Sequence, residues 1–280
     1  MRKASLSVPV ETPEEEAVPE LVVPLEDTEV EEAQGFFDQI FPEDADTLKK
    51  ASLEERTNIE GRHLTYGELD LPTVHQVLTL VRGHAEFYRD QGTLLDLGSG
   101  AGKLCIAAAL LHPFERVVGF EVLQCLNATA SEASTRYAEL THRRMPQMEL
   151  LAGDFVADFD KVEPFASTLQ VCIAVATCYG EAQLNAMASV AGLMPADSIF
   201  VTFSQMLPRS IVNHPQPHLL LKPSKGGWIL VHSSVLQMMW GPATCFIFKK
   251  VPPFGDEKVA SEKSDSPEPT EPPDGATEES

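Results

Sequence analysis

The chain of 280 residues carries 42 acidic residues against 21 basic ones, a formal charge of −21, and 43% of it is hydrophobic. That length is enough for one or two domains with a sizeable core. No apolar run approaches the 18 or so residues a membrane-spanning helix needs, and no apolar stretch follows the two N-terminal bases as a secretion signal requires, so a soluble, non-secreted protein is expected.

The charge is uneven. Residues 1–60 hold 17 acids against 5 bases and residues 254–280 hold 9 against 2. Residues 1–30, with ETPEEE and four prolines, and residues 253–280, rich in Ser, Pro, Glu and Asp, bury too little apolar surface to offset chain entropy. Both are expected to be disordered acidic arms, serving either solubility or a basic partner. Five scattered cysteines without a C-x-x-C spacing suit reduced core thiols in nucleus or cytoplasm, and neither disulfides nor a metal site.

Residues 31–90 form an expected helical lobe. Phe36, Phe37, Ile40 and Phe41 open it, and Tyr66-Gly67-Glu68-Leu69 follows. Pro72 then starts a helical pattern with Val74, Val77, Leu78, Val81, Ala85 and Tyr88 on one face. Residues 91–252 read as alternating strands and helices. Strands are expected at Thr93–Leu97, Arg116–Glu121, Met148–Ala152, Leu169–Ala176 and Ser198–Phe203. Helices fall after Gly102, along Leu126, Ala130, Ala133, Tyr137 and Leu140, and around Leu184–Ala191. The β-rich runs 228–236 and 242–250 add an antiparallel hairpin to one edge of a mostly parallel α/β sheet.

The first strand runs into Leu94-Leu95-Asp96-Leu97-Gly98-Ser99-Gly100-Ala101-Gly102-Lys103. A buried strand, a glycine turn and a helix let a cofactor approach the backbone closely. Dinucleotide folds carry G-x-G-x-x-G; here the pattern is D-x-G-x-G-x-G, and an acid at that point repels a pyrophosphate. It suits a cationic ligand such as S-adenosyl-L-methionine, which brings an ammonium and a sulfonium. Lys103 is either a solvated side chain or a contact to the cofactor carboxylate.

Ligands of open α/β sheets sit outside the carboxyl ends of the strands. Glu121 ends the second strand, 25 residues after Asp96, where a carboxylate can take both ribose hydroxyls. Asp154 and Phe155 end the third, where an acid can accept the adenine amino hydrogens and a ring can cover the base. Taken singly, Glu121 could be a helix N-terminal acid, Gly153-Asp154 an ordinary turn and Phe155 core. Three such ends in order point to cofactor binding.

On these motifs, with Tyr66-Gly67-Glu68, Val118-Gly119-x-Glu121, Gly153-Asp154-Phe155 and Trp240-Gly241-Pro242, residues 36–250 resemble the disruptor-of-telomeric-silencing family of non-SET histone H3 lysine methyltransferases. The resemblance implies a Rossmann-like class I S-adenosylmethionine-dependent methyltransferase. It implies that Tyr66 and Glu68 close over the methionine part, that Glu121 holds the ribose and Asp154 and Phe155 the adenine, and that Trp240 lines the lysine channel. Histone H3 in a nucleosome is then the implied protein substrate, and the nucleus the implied compartment.

The family's Asn-Asn-Phe run after the fourth strand is missing. The chain reads Ala174-Val175-Ala176-Thr177-Cys178-Tyr179-Gly180, where Thr177 or Tyr179 is expected to offer a hydroxyl instead. A non-histone protein, a small molecule or an inactive cofactor-binding scaffold stay open as readings. Lys222, Lys225, Lys249 and Lys250 read as solvated surface pairs, too few for a strong nucleic-acid site. The sequence is silent on oligomeric state.

Overall fold

The computed structural model describes residues 20–42, 45–57, 67–141, 146–212 and 227–252. Five strands, β1 (Thr93–Leu97), β2 (Arg116–Glu121), β3 (Gln147–Ala152), β4 (Leu169–Ala174) and β5 (Ile199–Phe203), run parallel. A hairpin of β6 (Gly227–Met238) and β7 (Gly241–Val251) completes the sheet, with β7 antiparallel to both β5 and β6. The strand order is β3-β2-β1-β4-β5-β7-β6. The chain winds outward from β1 to β3, then returns to β4 on the other side of β1, so the topological switch point lies between β1 and β4. This is the Rossmann-like class I methyltransferase architecture.

The helices are α1 (Asp27–Ile40), α2 (Ala45–Arg56), α3 (Leu71–Arg82), α4 (Lys103–Leu111), α5 (Gln124–Leu140), α6 (Phe159–Ala166) and α7 (Glu181–Leu193). Alternate strand residues feed opposite faces of the sheet. Leu94, Val117, Val171, Ile173, Val201 and Ile247 pack with residues of α1, α3, α4 and α5. Leu95, Val118, Phe120, Cys172, Phe200 and Phe248 pack with those of α6 and α7. Strand β1 is buried along its whole length, and after Thr93 it is apolar except for Asp96.

The structure differs from the expectations in several places. Residues 20–30, placed in the acidic arm, are structured: Leu21 bridges to Tyr88, Val22 N–H donates to Phe87 O at 2.8 Å, and α1 begins at Asp27. Val22 and Leu25 supply the reason, since both pack against the core. The segment read as a separate lobe is a layer of the same domain, because Phe37, Ile40, Val74, Val77 and Val81 share one core cluster with the sheet.

Helix α3 starts where its signals put it, with Asp70 accepting Thr73 N–H at 3.0 Å and Pro72 in the first turn. It stops at Arg82, with Gly83 as its C-cap, so Ala85 and Tyr88 lie beyond it. Helix α6 was not anticipated. Pro164 inside it reads as a breaker and hides the short helical pattern.

Lys249 and Lys250 are not a loose surface pair. Lys249 meets Asp197 at 3.1 Å. The Lys250 ammonium donates to Gly192 O at 2.9 Å, to Ala191 O at 3.2 Å and to Met194 O, which closes the C-terminal end of α7. Tyr66, Lys222, Lys225, residues 1–19 and residues 253–280 lie outside the described residues.

Candidate cofactor site

At the carboxyl ends of β1, β2 and β4 the chain encloses a cavity of about 460 Å³. The glycine turn forms its floor. Gly98, Gly100 and Gly102 all have left-handed backbones, with φ of 88°, 55° and 78°. A side chain at Gly98 would also collide with the Tyr179 hydroxyl, 2.6 Å from where a Cβ would sit. Glycine is therefore required on conformational and steric grounds together. The turn is tied back to β2, since Gly98 N–H and Ser99 N–H both donate to Phe120 O, at 2.9 and 2.8 Å.

Asp96 is only 2% exposed, and its Oδ1 has no hydrogen-bond partner. Burial, with the neighbouring Glu121 carboxylate adding to it, pushes the Asp96 carboxyl up to about 8. The Ser99 hydroxyl is likewise buried without a partner. Buried polar atoms are seldom left unpaired, and these two belong to residues lining one cavity.

Glu121 joins three elements. Its Oε2 accepts Gly100 N–H at 2.8 Å, and its Oε1 accepts Leu123 N–H at 2.7 Å. Burial raises its carboxyl, while these backbone bonds act in the opposite direction. After β3, Asp154 Oδ1 accepts Val156 N–H at 3.0 Å and Asp154 N–H donates to Asp158 at 3.0 Å. That local turn carries Phe155, whose buried ring lies 5.6 Å from the Tyr179 ring.

Lys103 is neither solvated nor unpaired: it forms an ion pair with Glu68, and its ammonium stands 5.6 Å from the centre of the Phe41 ring. The Tyr179 hydroxyl donates to Leu97 O, and burial holds its phenol well above its ordinary value. Tyr179 is thus committed to the backbone of β1 and stays protonated. Thr177 faces the opening, with its hydroxyl 3.1 Å from that of Ser204. Trp240, in the β6–β7 turn and 38% exposed, packs so closely on Gly67 that a Cβ there would be 2.9 Å from the indole.

The cavity thus gathers Glu68, Asp96, Gly98, Ser99, Gly100, Lys103, Glu121, Asp154, Phe155, Thr177, Tyr179 and Trp240 from the expected set. Gly102 is the N-cap of α4 behind the turn. Leu123, Cys178 and Gln183 also line the cavity, and sequence reasoning missed them. So did it miss Gln205, whose side-chain amide donates to Ala176 O at 2.6 Å and Tyr179 O at 2.9 Å and thereby pins the turn after β4. Only Gln183 left a signal, standing three residues into α7 where its side chain accepts Gly180 N–H.

Four acidic side chains line the chamber, one of them, Glu68, already paired with Lys103, and the excess of acids over bases suits a ligand that brings positive charge. Among the described residues no group of His, Cys, Asp and Glu could hold a metal ion, and no helix is long and apolar enough to cross a membrane.

Comparison with known proteins agrees. The family model described as histone methylation protein DOT1 matches residues 50–189, half of the chain. No curated protein matches the chain. Similar solved structures include an rRNA methylase from Streptococcus thermophilus, with 14% identity, a TM-score of 0.41 and coverage of 64% of this chain and 96% of that one. Another is TrmN from Thermus thermophilus, with 17% identity, a TM-score of 0.45 and coverage of 73% and 52%. A third, described as a putative rRNA methylase from Clostridium thermocellum, has 13% identity, a TM-score of 0.43 and coverage of 68% and 99%. With the family model spanning half of its length over the glycine turn, Glu121 and Asp154, the chain belongs to the DOT1 histone methylation protein family and is an S-adenosylmethionine-dependent methyltransferase.

Proposed function

We propose that the protein transfers a methyl group from S-adenosylmethionine to the side-chain amine of a protein lysine, with histone H3 as the acceptor. The observation that carries the reading is the cavity at the switch point lined by Glu68, Asp96, Glu121 and Asp154 beside the glycine turn, with Asp96 Oδ1 buried and without a partner in its wall. That donor set fits the cofactor. Asp96 would meet its ammonium, Lys103 its carboxylate, Glu121 the ribose hydroxyls, Asp154 the adenine amino group, and Phe155 the face of the base. Tyr66 and Glu68 would close over the methionine part.

When bound, S-adenosylmethionine supplies a methyl carbon on a positively charged sulfur that departs as a neutral thioether. The chain's own contribution is positioning. Thr177, Cys178 and Trp240 at the opening would line the path of the incoming amine. Apolar and aromatic walls favour the neutral amine, which alone has a lone pair to donate. Tyr179 cannot take the proton, because its hydroxyl is already a donor to Leu97 O. The acceptor nitrogen therefore loses its proton to solvent. Holding two reactants in line is worth several kcal/mol by itself.

The Thr177-Cys178-Tyr179 turn, without the family's amide, favours a second reading in which the acceptor is another protein or a small molecule. The test is incubation of the protein with methyl-labelled cofactor and nucleosomes, free histones or a cell extract, read by mass spectrometry. Label on a histone H3 lysine supports the first reading. Label elsewhere moves the acceptor. Cofactor binding without label on anything leaves a binding scaffold.

A further inference from the structure

We propose that Glu55 is a positioning residue for the ribose end of this cavity, reaching from α2 to hold the first turn of α5 and, through that turn, the carboxylate of Glu121. The proposal rests on the cofactor reading above.

Helix α5 starts without a cap of its own. Its N-cap is Leu123, which has no side-chain acceptor to offer the free N–H groups that open every helix. Those groups are satisfied from elsewhere in the chain. Gln124 N–H donates to Glu55 Oε1 at 2.7 Å, and Cys125 N–H to Glu55 Oε2 at 2.8 Å. One residue earlier, Leu123 N–H donates to Glu121 Oε1 at 2.7 Å. Three successive donors at the positive end of α5 are thus divided between two carboxylates, one from α2 and one from β2.

The same helix supplies an apolar seat. Leu48 of α2, seven residues before Glu55 and so on the same face, packs with Ala101 of the glycine turn and with Leu123 and Leu126 of α5. The last three also line the cavity. Leu48 fixes where α2 sits against the site, and Glu55 uses that placement to close the end of α5.

Removing the Glu55 carboxylate leaves Gln124 N–H and Cys125 N–H without that acceptor, next in sequence to the Leu123 N–H that Glu121 holds. The Glu121 side chain is then drawn toward Gln124 and Cys125 and away from Gly100 N–H, its second anchor. A ribose held by Glu121 would lose its partner's alignment, although Glu55 itself touches no ligand.

The test is calorimetric binding of S-adenosylhomocysteine and of its 2′,3′-dideoxy analogue to the full chain and to Glu55→Gln. The expected result is a loss of about fivefold or more for S-adenosylhomocysteine that shrinks below about twofold for the dideoxy analogue. Equal losses for both ligands, or none for either, overturn the proposal, because a general weakening of the fold does not sense ribose hydroxyls. A wild-type chain that binds neither ligand overturns the cofactor reading and this inference with it, whereas unaltered binding by Glu55→Gln overturns the inference alone. Should Glu55→Gln not fold, Glu55→Asp, one methylene short of α5, reads the same coupling.

Discussion

Lys103, in the first turn of α4, is paired with Glu68, which lies 35 residues earlier in the segment leading to α3, and their side chains are only 12% and 5% exposed. A lysine at a helix N-terminus opposes the helix dipole. Here the carboxylate compensates it and, in doing so, ties the N-terminal segment to the glycine turn. Replacing one member of a largely buried pair leaves the other without its counter-charge, at a cost on the order of 3 kcal/mol. Lys103→Met is therefore expected to lower the unfolding free energy by about that amount, and Lys103→Met combined with Glu68→Gln to recover part of it, as read by urea denaturation.

Asp96 gives a pH signature. Its carboxyl is raised to about 8 in the fold by burial, then by Glu121, against an ordinary value of about 3.9 in an unfolded chain. Between those values the unfolded chain releases the proton and the folded one keeps it. The stability associated with the group is thus fully present below about pH 4 and is lost as the pH climbs toward 8. Asp96→Asn removes this dependence. Relative to wild type, the ligand-free variant should gain stability across that window with a slope approaching about 1.4 kcal/mol per pH unit. Parallel stability–pH curves for the two proteins would refute the buried, protonated Asp96.

Glu121→Ala deletes the acceptor of Gly100 N–H and Leu123 N–H together with the proposed ribose contact. Cofactor affinity by calorimetry is expected to fall by at least about tenfold. Unchanged affinity rejects the ribose assignment.

Lys250 lies far from the cavity and caps α7. Lys250→Met keeps the aliphatic stem near the Trp228 ring but removes the ammonium from the carbonyls of Ala191, Gly192 and Met194. A loss of about 1–2 kcal/mol in stability is expected, with cofactor affinity unaltered. A change in affinity equal to that of the cavity variants would show that the helix end reaches the site.

The regular elements were legible because their signals are local. Strand β2 spans the expected Arg116–Glu121, and α5 carries Leu126, Ala130, Ala133 and Tyr137 inward as their spacing requires. The glycine turn and the acids at strand ends were legible for a related reason, since each follows directly from an apolar run. What escaped were polar pairings across long stretches of chain. Glu55 is 69 residues from Gln124, and Tyr179 is 82 from Leu97. Neither partner carries a periodic mark, and each looks like an ordinary surface acid or core ring. The overshoot of α3 to Ala85 and Tyr88 has another cause: an apolar period continued past Gly83 although the helix did not.

Gly67 and Trp240, which touch each other in the cavity wall, sit on either side of nearly the whole domain in chain order. A polypeptide emerging from the ribosome cannot assemble this chamber until its final hairpin has left the exit tunnel. Early fragments, though they already contain every acid of the glycine turn and strand ends, would be poor scavengers of the donor. Trimming either flank into the packed layers disarms the protein without touching a single ligand-facing carboxylate of the central strands.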